Sequence, residues 1–345
     1  MVYKRGMNPT PISSAPLRPA LVGLVLVGAV ATAASQQVAR PPDDRFPRQL
    51  VEWVPDARDP LFEGTGRATW DREIRERGFI LHEPDGWRLW YTGYDSRRSE
   101  TKSLGLATSP DGIRWTRYPG NPVFSGSWTE DVFVVKRDGV YHMFAEGRDD
   151  IAHRLTSGDG LRWEDHGSLD IRLRNGAPLP PGPYGTPTVW VEKGIWHLYY
   201  EREDRGIWLA TSRDLRVWTN VRDEPVIGLG PGEYDRHAVA LNQVFRRGDH
   251  YYGLYHANAD PEWKGPWTTC LVVSDDLVRW EKYPGNPIIP TDDSSGILVT
   301  DGEELRLYTM HPAVRLWRPR GGGAVPPEGG IDGRFNNAPR SGTPL

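Results

Sequence analysis

The feature that most constrains this chain is a hairpin that recurs five times at a nearly constant interval. Each copy is an apolar run, a tight turn with glycine, and a second run ending in aromatics: FILHEPDGWRLWYT, VFVVKRDGVYHMFA, TVWVEKGIWHLYYE, NQVFRRGDHYYGLYH and GILVTDGEELRLYT. Their turn glycines, Gly86, Gly139, Gly194, Gly248 and Gly302, are 53, 55, 54 and 54 residues apart. Glycine suits this position because a short hairpin loop follows the twist of its strands only when a residue takes a positive φ. Repeated units of this size bury their faces against one another, so the repeat sets the architecture.

A second pattern, S-x-D-x-x-x-W, rides on the first as Ser109/Asp111/Trp115, Ser157/Asp159/Trp163, Ser212/Asp214/Trp218 and Ser274/Asp276/Trp280. Ser and Asp close a turn on their own backbone and Trp packs between sheets, so repetition in each complete unit argues for scaffold. A third pattern is Pro-apolar-apolar, at Pro122-Val123-Phe124, Pro225-Val226-Ile227 and Pro287-Ile288-Ile289. Pro60-Leu61-Phe62 has the same form but precedes the first hairpin, while the fifth unit lacks its own S-x-D-x-x-x-W. An N-terminal segment that supplies the missing outer strand closes a ring and leaves only short, protected edges. The expectation is an all-β, five-bladed β-propeller of four-stranded antiparallel blades, closed by an N-terminal strand. The blades fall at about 67–124, 125–173, 183–227, 233–289, and 294–320 together with 50–62. The 38 Gly, 31 Pro and 15 Trp agree with many turns between short strands.

Outside the propeller domain at 50–320, Lys4, Arg5 and Arg18 precede an apolar run from Ala20 to Ala34 and the small-residue site Ala31-Thr32-Ala33. The run is shorter than the roughly 20 residues that span a bilayer, so 1–34 reads as a cleaved signal peptide. The expected destination is the periplasm or the medium, with a linker at 35–49 and a flexible tail at 321–345. Cys270 is the only cysteine, which excludes an intrachain disulfide. A net charge of −4, from 42 basic and 46 acidic residues, gives no reason to expect nucleic acid or an anionic membrane as partner.

In a propeller the innermost strand of each blade starts at one face and the second returns to it. That face therefore collects residues just before the first run and just after the second. The leading segments are Trp70-Asp71-Arg72-Glu73 with Glu76-Arg77, Trp128-Thr129-Glu130-Asp131, Tyr184-Gly185-Thr186-Pro187, Tyr234-Asp235-Arg236-His237 and Ser294-Ser295. The trailing ones are Thr92 to Asp95, Glu146-Gly147-Arg148, Glu201-Arg202, His256-Ala257-Asn258 and His311. Aromatic rings beside charged groups suit a sugar, whose hydroxyls take polar partners while its C–H faces pack on rings. Trp70, Arg77, Glu130, Arg148, Tyr184, Thr186, Asp235, Arg236, His237 and His256 are the candidate substrate-binding residues.

The run SLGLATSPDGIRWTRYPGNPVF, echoed by KYPGNPII and GIWLATSRDLRVW, resembles the blade endings of the five-bladed glycoside hydrolases of the family 43 and family 32 superfamily, with their related mannoside phosphorylases. The resemblance spans roughly residues 50–320. Sialidase Asp-boxes, with S-x-D-x-G-x-x-W, are one residue longer. The resemblance implies three carboxylates on the inner strands of blades one to three: a base or nucleophile, a pKa-tuning Asp and a Glu acid. One carboxyl must stay protonated for the leaving oxygen while another is ionised to activate water or attack carbon. Asp131, eight residues before Gly139, matches the blade-two Asp, and either Asp71 or Glu76 is the blade-one carboxylate. Blade three departs from the pattern, because its slot holds Thr186; Glu201, at the end of the next strand, is the nearest candidate acid.

The leading expectation is an exported, monomeric glycoside hydrolase acting on oligo- or polysaccharides through Asp71 or Glu76, Asp131 and Glu201, with inversion preferred. The rivals are a non-catalytic carbohydrate-binding propeller, favoured by the missing blade-three Glu, and a phosphorylase holding phosphate on Arg77, Arg148, Arg202 and Arg236. No cofactor is required. The resemblance admits a calcium ion near His237, His256 and His311, although oxygen-rich Ca2+ spacing is absent and no metal ligand set is assigned.

Overall fold

The computed structural model describes residues 45–75, 77–302 and 304–322. The expected signal peptide, most of the tail and Glu76 lie outside the described residues. Among those described, no helix is long and apolar enough to cross a membrane.

The five hairpins build five antiparallel sheets arranged as a five-bladed propeller. Blade one comprises Phe79–Glu83, Gly86–Asp95, Ser99–Ser109 and Thr116–Arg117, with Glu73–Ile74 also pairing to the second strand. Blade two is Glu130–Arg137, Val140–Glu146, Ala152–Ser157 and Glu164–Ser168. Blade three is Gly185–Glu192, Ile195–Glu201, Gly206–Ser212 and Val217–Asn220, and blade four is Ala238–Arg247, His250–Asn258, Thr268–Ser274 and Trp280–Lys282. Blade five takes Ile297–Thr300, Leu305–Thr309 and Arg315–Pro319 from the end of the domain and Trp53–Pro55 from its beginning. Trp53 pairs with Pro319 and Pro55 with Trp317, so the ring closes as the sequence predicts.

The Pro-apolar-apolar segments each lay their last residue against a third strand: Phe124 on Leu104, Ile227 on Ile207, Ile289 on Thr269 and, from the N-terminus, Phe62 on Val314. Two details depart from expectation. Asp170–Arg172, on the path from blade two, adds a parallel strand to the outer edge of blade three. Residues 45–49 are part of the folded body rather than a linker: Phe46, with Leu50 and Trp53, is buried in a cluster with Phe245, Tyr252, Leu298 and Leu307 of blades four and five.

The core lies between blades. Each S-x-D turn binds its own backbone, and those of blades one, two and four also accept a hydrogen bond from the preceding blade. Asp111 Oδ1 accepts from the Ile113 and Arg114 amides, and Asp276 Oδ1 accepts from Val278 and Arg279. Trp90 Nε1 of blade one donates to the Gly160 carbonyl of blade two at 2.9 Å, and Tyr199 of blade three donates to Leu277 of blade four at 2.8 Å. Tyr308 of blade five donates to Gly112 of blade one at 3.0 Å, which closes the ring a second time. Rings pack beside these bonds, as in Trp90 against Trp163 and Phe144 against Trp218.

Candidate active site

The inner strands of blades two and three begin with a local slip in register, between Glu130 and Phe133 and between Gly185 and Thr188. The second residue of each strand is left-handed, Asp131 at φ 45° and Thr186 at φ 43°, and Ser295, just before the inner strand of blade five, has φ 60°. A non-glycine residue in that region costs on the order of 1–3 kcal/mol, and such bulges re-aim side chains at functional sites.

The second strands of blades two and three end in Glu146 and Glu201, each seven residues after its turn glycine. Both are buried. Gly185 lies between them: a methyl group there would sit 2.2 Å from Glu146 Oε2 and 2.6 Å from Glu201 Oε1, so only glycine fits and those oxygens are at most about 5 Å apart. Thr186 donates to Glu146 Oε2 from its amide at 2.7 Å and its hydroxyl at 3.3 Å. Glu201 accepts from the amides of Gly185 at 3.0 Å and Asp204 at 2.5 Å.

Burial drives the Glu146 carboxyl well above the usual range, reinforced by the negative charges of Asp131, Glu201 and Asp150. Glu201 is pushed up to about 7, again chiefly by burial, with the fields of Asp150 and Asp131 adding and its two amide donors opposing. Two close buried carboxyls cannot both ionise cheaply, so the pair retains a proton near neutral pH. This is the requirement for a group that protonates a leaving oxygen.

Asp131 joins this group through Arg77, whose backbone amide donates to Asp131 Oδ1 at 2.8 Å. The Arg77 guanidinium is wholly buried and donates to the carbonyls of Pro187 and Leu241 and to Thr188 Oγ1, tying blades three and four to the segment before blade one. His256 is buried on the other side, its Nδ1 2.9 Å from Asn242 Nδ2 and its ring edge-on to Trp267 at 5.1 Å. Burial lowers the imidazole to about 4, more than Asp131 raises it, so the ring is neutral at pH 7.

Asp131, Glu201, Thr186, Arg77 and His256 are thus brought together, while several other expected site residues are held elsewhere. Asp71 is buried against Arg117 of the outer strand of blade one at 2.6 Å, with Tyr91 and Thr69 also donating to it. Asp235 has the same setting in blade four, bound by Lys282 at 2.5 Å and Tyr255 at 3.3 Å. Asn121 and Asn286 touch the two tyrosine hydroxyls in matching fashion, so Asp71 and Asp235 are blade-fastening residues. Trp70 stacks on Tyr91 in that same packing. Arg77 offers no free fork to a substrate or phosphate, Arg202 donates to the carbonyls of Pro180, Pro181 and Pro183, and Arg236 to Glu233 and the Ala259 carbonyl. Of the four arginines that the phosphorylase reading invokes, these three are engaged by protein groups, and Arg148 lies over the Trp128 ring. Tyr184 donates to the Leu169 carbonyl at 3.2 Å, and His237 lies edge-on to Trp263 at 4.8 Å.

Glu130 is buried between Lys102 and Trp128, whose Nε1 donates to it at 2.6 Å. A cleft of about 470 Å3 is lined by Thr101, Trp128, Arg148, Ile151, His153 and Asp165 among others. The Arg148 guanidinium lies 5.0 Å over the Trp128 ring. Among the described residues, no group of three or more His, Cys, Asp or Glu side chains is arranged to hold a metal ion.

Glu146 had no catalytic role in the sequence reading, although it trails its hairpin at the same distance as Glu201. The repeat phase alone was sufficient to pair them.

No protein-family model matches the chain, and no curated protein matches it. Solved structures do. A glycosyl hydrolase from Bacteroides ovatus superposes with a TM-score of 0.61 at 15% identity, covering 80% of this chain and 95% of its own. The β-1,2-mannobiose phosphorylase from Listeria innocua gives 0.59 at 15%, covering 77% and 96%. The catalytic domain of a family 62 α-L-arabinofuranosidase from Coprinopsis cinerea gives 0.61 at 12%, covering 81% and 100%. At these identities the likeness establishes the fold, and this chain has the five-bladed propeller fold found in glycoside hydrolases and glycoside phosphorylases.

Proposed function

We propose that the protein is an exported, monomeric glycoside hydrolase whose acid function resides in the Glu146–Glu201 pair. The observation that carries this reading is the pair itself: two buried carboxyls flanking Gly185, both pushed upward, beside the charge of Asp131. In the reaction one of them gives its proton to the glycosidic oxygen as the bond to the anomeric carbon breaks. A second, ionised carboxylate takes a proton from the attacking water, and Asp131 biases the pair toward its protonated form. With Asp71 bound by Arg117, Glu76 is the remaining blade-one candidate for the base. Export rests on the apolar run before Ala31-Thr32-Ala33. The propeller glycosidases of similar fold make a carbohydrate substrate the natural first test.

The test is release of reducing ends or aryl alcohol from a panel of aryl glycosides and soluble polysaccharides. Wild type turns over at least one of them without phosphate, and Glu201→Gln lowers that rate by roughly 10²–10⁴-fold, the usual contribution of general acid catalysis. Glu201→Gln with undiminished turnover removes Glu201 from the mechanism. A sugar-binding propeller without catalysis is the second reading, favoured by Thr186 in the blade-three slot. Binding with no product from any substrate in the panel establishes it instead.

A further inference from the structure

Blade four carries a ring system that the reaction described above does not use. The loop between His250–Asn258 and Thr268–Ser274 holds Trp263 and Trp267 stacked, with centroids 5.5 Å apart and planes 18° from parallel. Trp267 stands edge-on to His256, the buried imidazole beside Asp131, so the stack reaches outward from the acid site. Trp263 is 43% exposed, the most exposed large hydrophobic side chain among the described residues.

Two observations show that this exposure is built in. Trp263 has φ 61°, a conformation that a bulky residue adopts only when its surroundings enforce it. The enforcement is visible: fully buried Asn258 donates to the Gly265 carbonyl at 3.0 Å and accepts from the Asp260 amide at 2.7 Å. The Trp263 amide donates to the Asp260 carbonyl, and the Trp267 amide to Asp292. His237 supports the ring from the side.

We infer that Trp263 and Trp267 form a preformed stacking platform for a sugar ring of an oligosaccharide, one or more units away from the bond being cleaved. The inference rests on the glycosidase reading for the direction in which the chain runs. A flat indole presents a face to the C–H side of a pyranose, and Asp260, Glu262 and Lys264 in the same loop supply polar partners for its hydroxyls. A protein partner fits less well, since a single half-exposed ring falls far short of the roughly 800 Å2 that a stable interface buries on each side.

The test uses the full propeller with Glu201→Gln, titrated calorimetrically with cellohexaose, xylohexaose and mannohexaose. Adding Trp263→Ala weakens the hexasaccharide that binds by roughly tenfold, Trp263→Phe restores most of the affinity, and Tyr118→Ala, an exposed aromatic on blade one, has no effect. In the otherwise wild-type enzyme, Trp263→Ala raises KM for that hexasaccharide severalfold more than KM for an aryl monoglycoside, and equal effects on the two substrates contradict the platform. Equal affinity with and without the Trp263 ring overturns the platform, as does failure of all three hexasaccharides to bind. If Glu201→Gln retains activity while Trp263→Ala still weakens binding, the acid assignment falls and the platform stands.

Discussion

Burial acts in opposite directions on the acids and the histidine at the mouth of the propeller. It favours the neutral form of both, which holds a proton on the Glu146–Glu201 pair and strips one from His256. An unfolded Glu201 releases its proton near its ordinary value of 4.5, whereas the folded residue keeps it to about 7. Between those values the native chain binds the extra proton, so this group makes stability fall as pH rises from about 4.5 and level off above about 7. Thermal melts at pH 5 and pH 8 check the sign: wild type loses more Tm across the interval than Glu201→Gln, and equal losses contradict it. A second prediction separates the blade-one acids. Glu76→Gln abolishes turnover, whereas Asp71→Asn, which weakens the contact with Arg117, mainly lowers Tm; the reverse pattern returns the base role to Asp71. Asp71 misleads at the sequence level because an acid beside an aromatic in a strand-leading segment looks the same whether it faces a ligand or an outer strand. Its repetition as Asp235, with tyrosine 20 residues later in each case, is the mark of architecture.

The blade is the element that the sequence specifies most completely. Its turn glycine, S-x-D turn and Pro-apolar-apolar segment each satisfy a local backbone need, so they recur wherever the need recurs. Asp276 shows the scale of one such device: its carboxylate accepts from the amides of Val278 and Arg279 and also pairs with Arg279. Asp276→Ala therefore destabilises by about 1–3 kcal/mol, read by denaturant melts, without altering the reaction. The bulges at Asp131 and Thr186 were not legible, because left-handed residues with ordinary side chains carry no spacing signal of their own. Nor was the stack on blade four, whose two tryptophans lie in a loop that is longer than its counterparts in the other blades.

At the scale of the whole ring, closure depends on contacts far apart in sequence, and the N-terminal strand's part in it was foreshadowed by what the fifth repeat lacks. Trp53 is buried where the N-terminal strand joins blade five, and Trp53→Ala lowers stability by about 3–5 kcal/mol, measured by urea unfolding. Arg77 was expected at a ligand and is instead the hub that binds carbonyls of three other blades' inner strands or their approaches, at Asp131, Pro187 and Leu241. Its positive charge is the counterweight to Asp131 and Glu146, so the same residue that joins the blades also lets acids gather on the axis. The account's central claim is that this gathering keeps a proton on two glutamates in neutral solution. Carbon-13 NMR of glutamate labelled at its side-chain carboxyl, assigned with Glu146→Gln and Glu201→Gln, follows that proton directly. The account predicts that the pair is still partly protonated at about pH 7; if both carboxyls titrate near 4.5, the site lacks its acid and the claim is wrong.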